Sequence, residues 1–184
     1  MFKNIVFSIV SILIVNGTFV NRAYSVVDPA NYNFSLDQLA VFKPGSNIKG
    51  AIEKYGKAEL IEENGKTKTL RFYVAHIRYK FAVLVRIAEE KVVDFHARLP
   101  AYFLHDVFHQ SMLNRYGKQN FYRLINGTAV YLWENKEGVN YLYNGTCTIT
   151  CFPVYLSAYP KEPPFAGYKP LYEELVTDRD YKQK

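Results

Sequence analysis

The chain has 184 residues and a formal net charge of +6, which falls to +4 once Lys3 and Arg22 of its first segment are set aside. That excess is mild and no block of Lys and Arg carries it, so composition speaks against a nucleic-acid binder and leaves a weak bias toward acidic partners or anionic membrane surfaces. Aromatic residues make up 16% of the chain, with 16 Tyr, 13 Phe and one Trp, which suits strands and Tyr-rich contact surfaces.

Residues 1–25 read as an export signal. Lys3 supplies the positive end, Ile5 to Val15 is apolar apart from Ser8 and Ser11, and Ala23-Tyr24-Ser25 offers a cleavage site. An apolar run of about 11 residues is short of the roughly 20 that cross a bilayer, so no transmembrane span is expected in the mature chain. An uncut N-terminal anchor is the alternative. The expected product is periplasmic or secreted, long enough to bury a core without staples. Its organisation is read as an irregular lead-in over 26–44, a first helix-plus-meander unit over 45–100, a second over 101–160, and a Pro-rich then charged tail over 161–184.

Within the first unit, Lys43-Pro44-Gly45-Ser46 is a turn with Ser46 as candidate N-cap. Ile48, Ala51, Ile52 and Tyr55 recur at helical spacing until Gly56 stops the helix. Strands are expected over 59–62, 68–74, 79–87 and 91–99. In the third, Tyr79, Phe81, Val83, Val85 and Ile87 form an apolar side against Lys80, Ala82, Leu84 and Arg86. In the fourth, Val93, Phe95, Ala97 and Leu99 oppose Asp94, His96 and Arg98. Pro100 then opens a longer helix with Leu104, Val107, Phe108, Ser111, Met112 and Tyr116 on its buried stripe, and His105, Asp106, His109, Gln110 and Asn114 outside. After Gly117 a second meander follows over 121–125, 129–134, 139–144 and 148–159, where Pro153 implies an edge or a bulge.

Two cysteines occur, Cys147 and Cys151. In an oxidising compartment this C-x3-C pair can bridge across a tight hairpin, and a disulfide is the expected state. A metal site would need two further soft ligands, and none is nearby; a redox pair lacks C-x-x-C spacing.

The two units share an order of elements and align with small shifts. Ala51-Ile52 falls on Met112-Leu113, Leu60-Ile61 on Phe121-Tyr122, Tyr73 near Trp133, and Leu99-Pro100 on Tyr159-Pro160, while Lys54-Tyr55-Gly56-Lys57 matches Arg115-Tyr116-Gly117-Lys118. The fold class expected is α+β, two tandem helix-plus-antiparallel-meander units forming one curved sheet with helices on one face. From Gly45 to Pro160 this order resembles the β-lactamase inhibitor protein fold and the related small lipoproteins of the outer-membrane barrel assembly machine. The disulfides and the lipid-bearing Cys of those proteins are missing here. The resemblance implies a module that binds another protein on its concave sheet face.

That face nominates Arg71, Tyr73, Lys80, Arg86, His96 and Arg98 with Tyr131 and Trp133 as partner-binding residues, because Arg, Tyr and Trp carry interface energy. A plain solvated sheet side is the competing reading. His105 and His109, four apart on a helix, could share a metal ion with His96 or Asp106, although exposed helical histidines are more often only solvated. Neither a G-x-S-x-G motif nor a carboxylate pair in an evident pocket can be found, so no catalytic residue, metal or cofactor is assigned. Asn33, Asn126 and Asn144 sit in sequons; Asn126-Gly127 and Asn144-Gly145 also fit turns. The function expected is an exported, non-catalytic protein-binding module that acts as an inhibitor, assembly factor or secretion-system accessory. A small secreted metal-dependent enzyme and a secreted virulence or toxin-related factor are the alternatives.

Overall fold

Tight turns set the topology. Left-handed residues stand between successive strands: Gly65 (φ 58°), Glu89 and Glu90 (49° and 62°), Asn126 and Gly127 (48° and 77°), and Glu137 and Gly138 (54° and 78°). Paired left-handed residues match the twist of a two-stranded ribbon and fold it back on itself. The computed structural model describes residues 36–76, 79–100, 105–147 and 151–175, without the side chains of residues 79, 146, 147, 151 and 152. The expected export signal, the first part of the lead-in and the end of the tail lie outside the described residues.

Four strands, β1 (Glu59–Asn64), β2 (Thr67–His76), β3 (Tyr79–Ala88) and β4 (Lys91–Leu99), form one meander. A second comprises β5 (Phe121–Ile125), β6 (Thr128–Lys136), β7 (Val139–Cys147) and β8 (Cys151–Pro160). They join through an antiparallel β4–β8 seam, Phe95↔Ala158 to Leu99↔Val154, into one sheet of order β1-β2-β3-β4-β8-β7-β6-β5. Helix α1 (Ile48–Tyr55) has 8 residues and α2 (His105–Tyr116) has 12.

The expected α+β class is corrected by this architecture. An eight-stranded antiparallel sheet dominates and the helices are few and short. Helical residues are not confined to one face either, because 171–175 forms a turn of helix whose Leu171 N–H donates to the Asp94 carboxylate on the side away from α1 and α2. Amphipathic spacing marked where helices occur and overstated their share, since strands of nine or ten residues enclose most of the core.

The inner face carries that core. Phe72, Val74, Val83, Val85, Phe95, Ala97, Leu99, Val154 and Leu156 are buried there, under Leu39 and Phe42 of two 3-10 turns, Ile48 and Ala51 of α1, and Phe108 and Met112 of α2. Phe42 stacks on Tyr55 at 5.5 Å and tilts against Phe72 and Phe95. The cap of α1 is Asn47, which accepts from Lys49 N, in place of the expected Ser46; Ser46 instead accepts from Val92 N and ties the helix start to β4. Ile52, expected in the stripe, is exposed. In β4, Arg86↔Asp94 is followed by Ile87↔Val92, so Val93 is an extra residue and Val92 takes its place in the core. In β8, Gly145↔Val154 gives way to Cys147↔Cys151, an extra residue in the stretch that holds Pro153, and the strand is central, not an edge.

Candidate functional site

Alternation through the paired strands sends one set of side chains to the outer face: Glu59, Arg71, Leu84, His96, Ser157, Leu142 and Leu132 lie in register across the sheet.

One part of it is covered by the strap 161–175. Asp94 is 1% exposed and is its anchor: Oδ2 accepts the Leu171 N–H at 2.7 Å and the Tyr168 hydroxyl at 2.9 Å, while Arg86 Nε lies 3.8 Å from Oδ1. Arg86 also donates to Lys169 O at 2.8 Å and pairs with Glu174. Tyr172 packs on Tyr159 at 5.3 Å. Burial pushes the Asp94 carboxyl up to about 6, and Arg86 and the two strap donors only partly offset it. Arg86, expected to meet a partner, is 6% exposed and serves the strap.

Another part is an open basin of about 530 Å³ lined by Arg71, Tyr73, Ala82, Leu84, His96, Arg98 and Tyr155, with Leu175 among its lining residues. Register explains the grouping: Tyr73 faces Ala82, Arg71 faces Leu84, Leu84 faces His96, and Arg98 faces Tyr155 across the seam. The His96 ring stacks on Tyr155 at 5.3 Å and its Nδ1 lies 2.9 Å from Ser157 Oγ, so this buried imidazole is a fixed wall. Tyr73 is 50% exposed, and Arg71 is steadied by Glu59 at 3.2 Å. Four of the expected partner-binding residues, Arg71, Tyr73, His96 and Arg98, meet here. Tyr155 was missed, because the extra residue beside Pro153 hides the period of β8. Lys80 is exposed and does not line the basin.

Tyr131 and Trp133 lie on the inner face, and their expected place on the open face is corrected. Trp133 is 0% exposed and its Nε1 donates to Gly117 O at 2.7 Å. Tyr131 packs against His109 at 4.3 Å. Residues 129–133 are apolar or aromatic throughout, so no alternation marks a side; α2 decides it. The expected outward position of His105 and His109 is corrected too. Both turn toward the sheet, with His105 Nδ1 3.0 Å from the Tyr143 hydroxyl and the two imidazoles stacked at 5.6 Å. Burial lowers both pKa values; the neighbouring imidazole adds to this at His109, whose buried Nε2 has no hydrogen-bond partner. Among the described residues no group of three or more His, Cys, Asp and Glu is arranged to hold a metal.

A further cavity of about 550 Å³ lies on the inner side between the 3-10 turns and α2, bounded in part by Lys43, Arg115 and Glu137. Lys43 pairs with Glu137 and Arg115 with Asp37, so its charges bind the lead-in to the body. Cys147 and Cys151 stand opposite each other in the β7–β8 register, while their side chains lie outside the described residues. Asn126-Gly127 forms a turn as expected, but Asn144-Gly145 lies within β7, and a Cβ at Gly145 would meet Val154 Cγ1 at 2.7 Å. Among the described residues no helix is long and apolar enough to cross a membrane. Comparison with protein-family models, curated proteins and solved structures returns no match.

Proposed function

We propose that the protein is an exported, non-catalytic binding module, periplasmic or secreted, that docks a partner protein in the outer-face basin. The observation that carries this reading is the convergence of Arg71, Arg98, Tyr73 and Tyr155 on one open depression over an aliphatic floor of Ala82 and Leu84. Rigid aromatic area and forked donors around an apolar centre are the ingredients of an interface hot spot. Ordered strands hold these groups in place, so little conformational entropy is lost on docking.

Inhibitor, assembly factor and secretion accessory all fit this use of the basin. The test is affinity capture from an envelope extract with the wild type beside Tyr73→Ala, Arg98→Glu and, as a control on the other face, Ile52→Ala. A partner retained by the wild type and the control and lost from both basin variants supports the reading. Equal capture by all four contradicts it.

A further inference from the structure

The sheet ends in two edge strands, β1 and β5, and the chain treats them differently. β1 carries Glu59, Glu62 and Glu63, and Ile61 is an extra residue in it, since Leu60↔Leu70 gives way to Glu62↔Thr69. Charges and a bulge are the usual means of keeping an edge from pairing with another chain. β5 has neither guard. Its ladder with β6 runs from Phe121↔Leu132 to Ile125↔Thr128 without a shift, and Arg123 is its only charged residue. Phe121, Tyr122, Leu124 and Ile125 are each between 41% and 59% exposed.

The free backbone groups of this edge follow from its turn. Asn126 and Gly127, with φ of 48° and 77°, close a two-residue hairpin, so Ile125 and Thr128 form a hydrogen-bonded pair, and by alternation so do Arg123↔Val130 and Phe121↔Leu132. Tyr122 and Leu124 therefore turn their N–H and C=O groups away from β6, and among the described residues no strand meets them. Their side chains lie on the inner face, where Tyr122 packs on Tyr131 at 4.9 Å. Phe121, Arg123 and Ile125 point to the outer face, with the Arg123 guanidinium 5.7 Å from the centre of the Phe121 ring.

We propose that a second copy of this chain pairs with this edge, β5 antiparallel to β5 about a twofold axis at Arg123. The strand is self-complementary in that register. Phe121 meets Ile125 of the partner subunit on the outer face, Tyr122 meets Leu124 of the partner subunit on the inner face, and the Tyr122–Leu124 pairs exchange both of their backbone hydrogen bonds. A twofold axis perpendicular to the sheet preserves its faces, so the two basins open on the same side. Pairing uses up β5 and leaves a guarded β1 at each end, so growth stops at two copies. The one opposed contact is Arg123 on its own symmetry mate, like charges at a pair without hydrogen bonds. A single five-residue strand buries less than the about 1,200–2,000 Å² of a stable interface, so the dimer is reversible.

The test is analytical ultracentrifugation of the full chain, purified from the producing cells, from about 10 to about 500 µM, with hydrogen exchange of the Tyr122 and Leu124 amides followed in parallel. A monomer–dimer equilibrium is expected, with exchange of those two amides slowing as the dimer fills. Leu124→Lys, at a position exposed enough to leave the fold intact, should abolish both effects. Leu60→Lys, on β1, should change neither. Arg123→Leu should tighten the dimer about threefold, and a mixture of wild type with Arg123→Glu should favour the mixed dimer, which alone opposes unlike charges. Arg123→Cys should give a disulfide-linked dimer on mild oxidation, beyond any that wild type forms, because the Cα atoms of such a pair stand about 4.5 Å apart, inside the disulfide range of about 4.4–6.8 Å.

A wild type that is monomeric at about 500 µM, or that grows past the dimer, overturns the proposal. So does a dimer that survives Leu124→Lys or is lost with Leu60→Lys, and so does a mixture of wild type and Arg123→Glu with no preference for the mixed dimer. A photoreactive phenylalanine analogue at Leu124 that captures a different protein, with the wild type monomeric, would assign the edge to another strand and overturn it as well.

Discussion

Asp94 makes the fold respond to pH in a direction opposite to that of an ordinary surface carboxylate, and the effect can be isolated. Its carboxyl is raised from 3.8 to about 6 because it is almost fully buried, against the opposing pull of Arg86, Tyr168 and Leu171 N–H. A group whose folded pKa lies above its unfolded value contributes its full share of stability below the unfolded pKa and loses it as pH rises through the folded one. A rise of about 2 units at about 1.4 kcal/mol each gives about 3 kcal/mol, so wild type should lose about that much relative to Asp94→Asn between about pH 3 and about pH 7. The asparagine keeps an acceptor for Tyr168 and Leu171 but has nothing to ionise. Urea denaturation at each pH, followed by the emission of Trp133, the only tryptophan, measures the difference directly. A wild-type minus variant difference that is flat with pH, or that rises with pH, would refute the reasoning.

Trp133→Ala should cost about 3–5 kcal/mol in urea denaturation followed by circular dichroism, through the emptied volume and the lost bond to Gly117 O. At fractions that remain folded it should leave partner capture unchanged. His105 and His109 are held neutral by burial, so the stability they contribute is present above pH 6.5 and lost as pH falls through their lowered folded values. His109→Phe should accordingly lose less melting temperature than wild type between about pH 7 and about pH 5. Gly145→Ala should destabilise by about 1–3 kcal/mol in urea titration, because the new methyl runs into Val154. For Cys147 and Cys151, oxidised protein should resist alkylation without reductant, and Cys147→Ser should cost about 2 kcal/mol by thermal or urea unfolding.

Strands that are buried on one side were legible. In β3 the alternation of Phe81, Val83 and Val85 with Ala82, Leu84 and Arg86 assigns each side chain its face, and six of the basin residues follow from that rule in β2 to β4. The rule failed where its signal vanishes or shifts. Residues 129–133 offer apolar or aromatic side chains to both faces, so Tyr131 and Trp133 went to the wrong side. An extra residue at Val93 and another beside Pro153 move the period by one, which misplaced Val93 and concealed Tyr155.

The histidines of α2 misled for a different reason. An imidazole counts as polar in a periodicity, yet its flat ring packs well when aromatic side chains lie below it, as Tyr131 and Tyr143 do here. The strap was illegible because its anchor is a contact between Asp94 and Tyr168, residues 74 positions apart, with no local pattern to announce it. Its presence covers part of the expected open face and removes Arg86 from the docking set.

Site-specific photo-crosslinking tests the central claim most directly. A photoreactive phenylalanine analogue at Tyr73, on the outer face, is compared with one at Ile52, exposed on α1, in the producing cells. The account predicts a discrete adduct from position 73 that disappears when Arg98→Glu is added, and none of that mass from position 52. The same adduct from both positions, or one from 73 that survives Arg98→Glu, would contradict it.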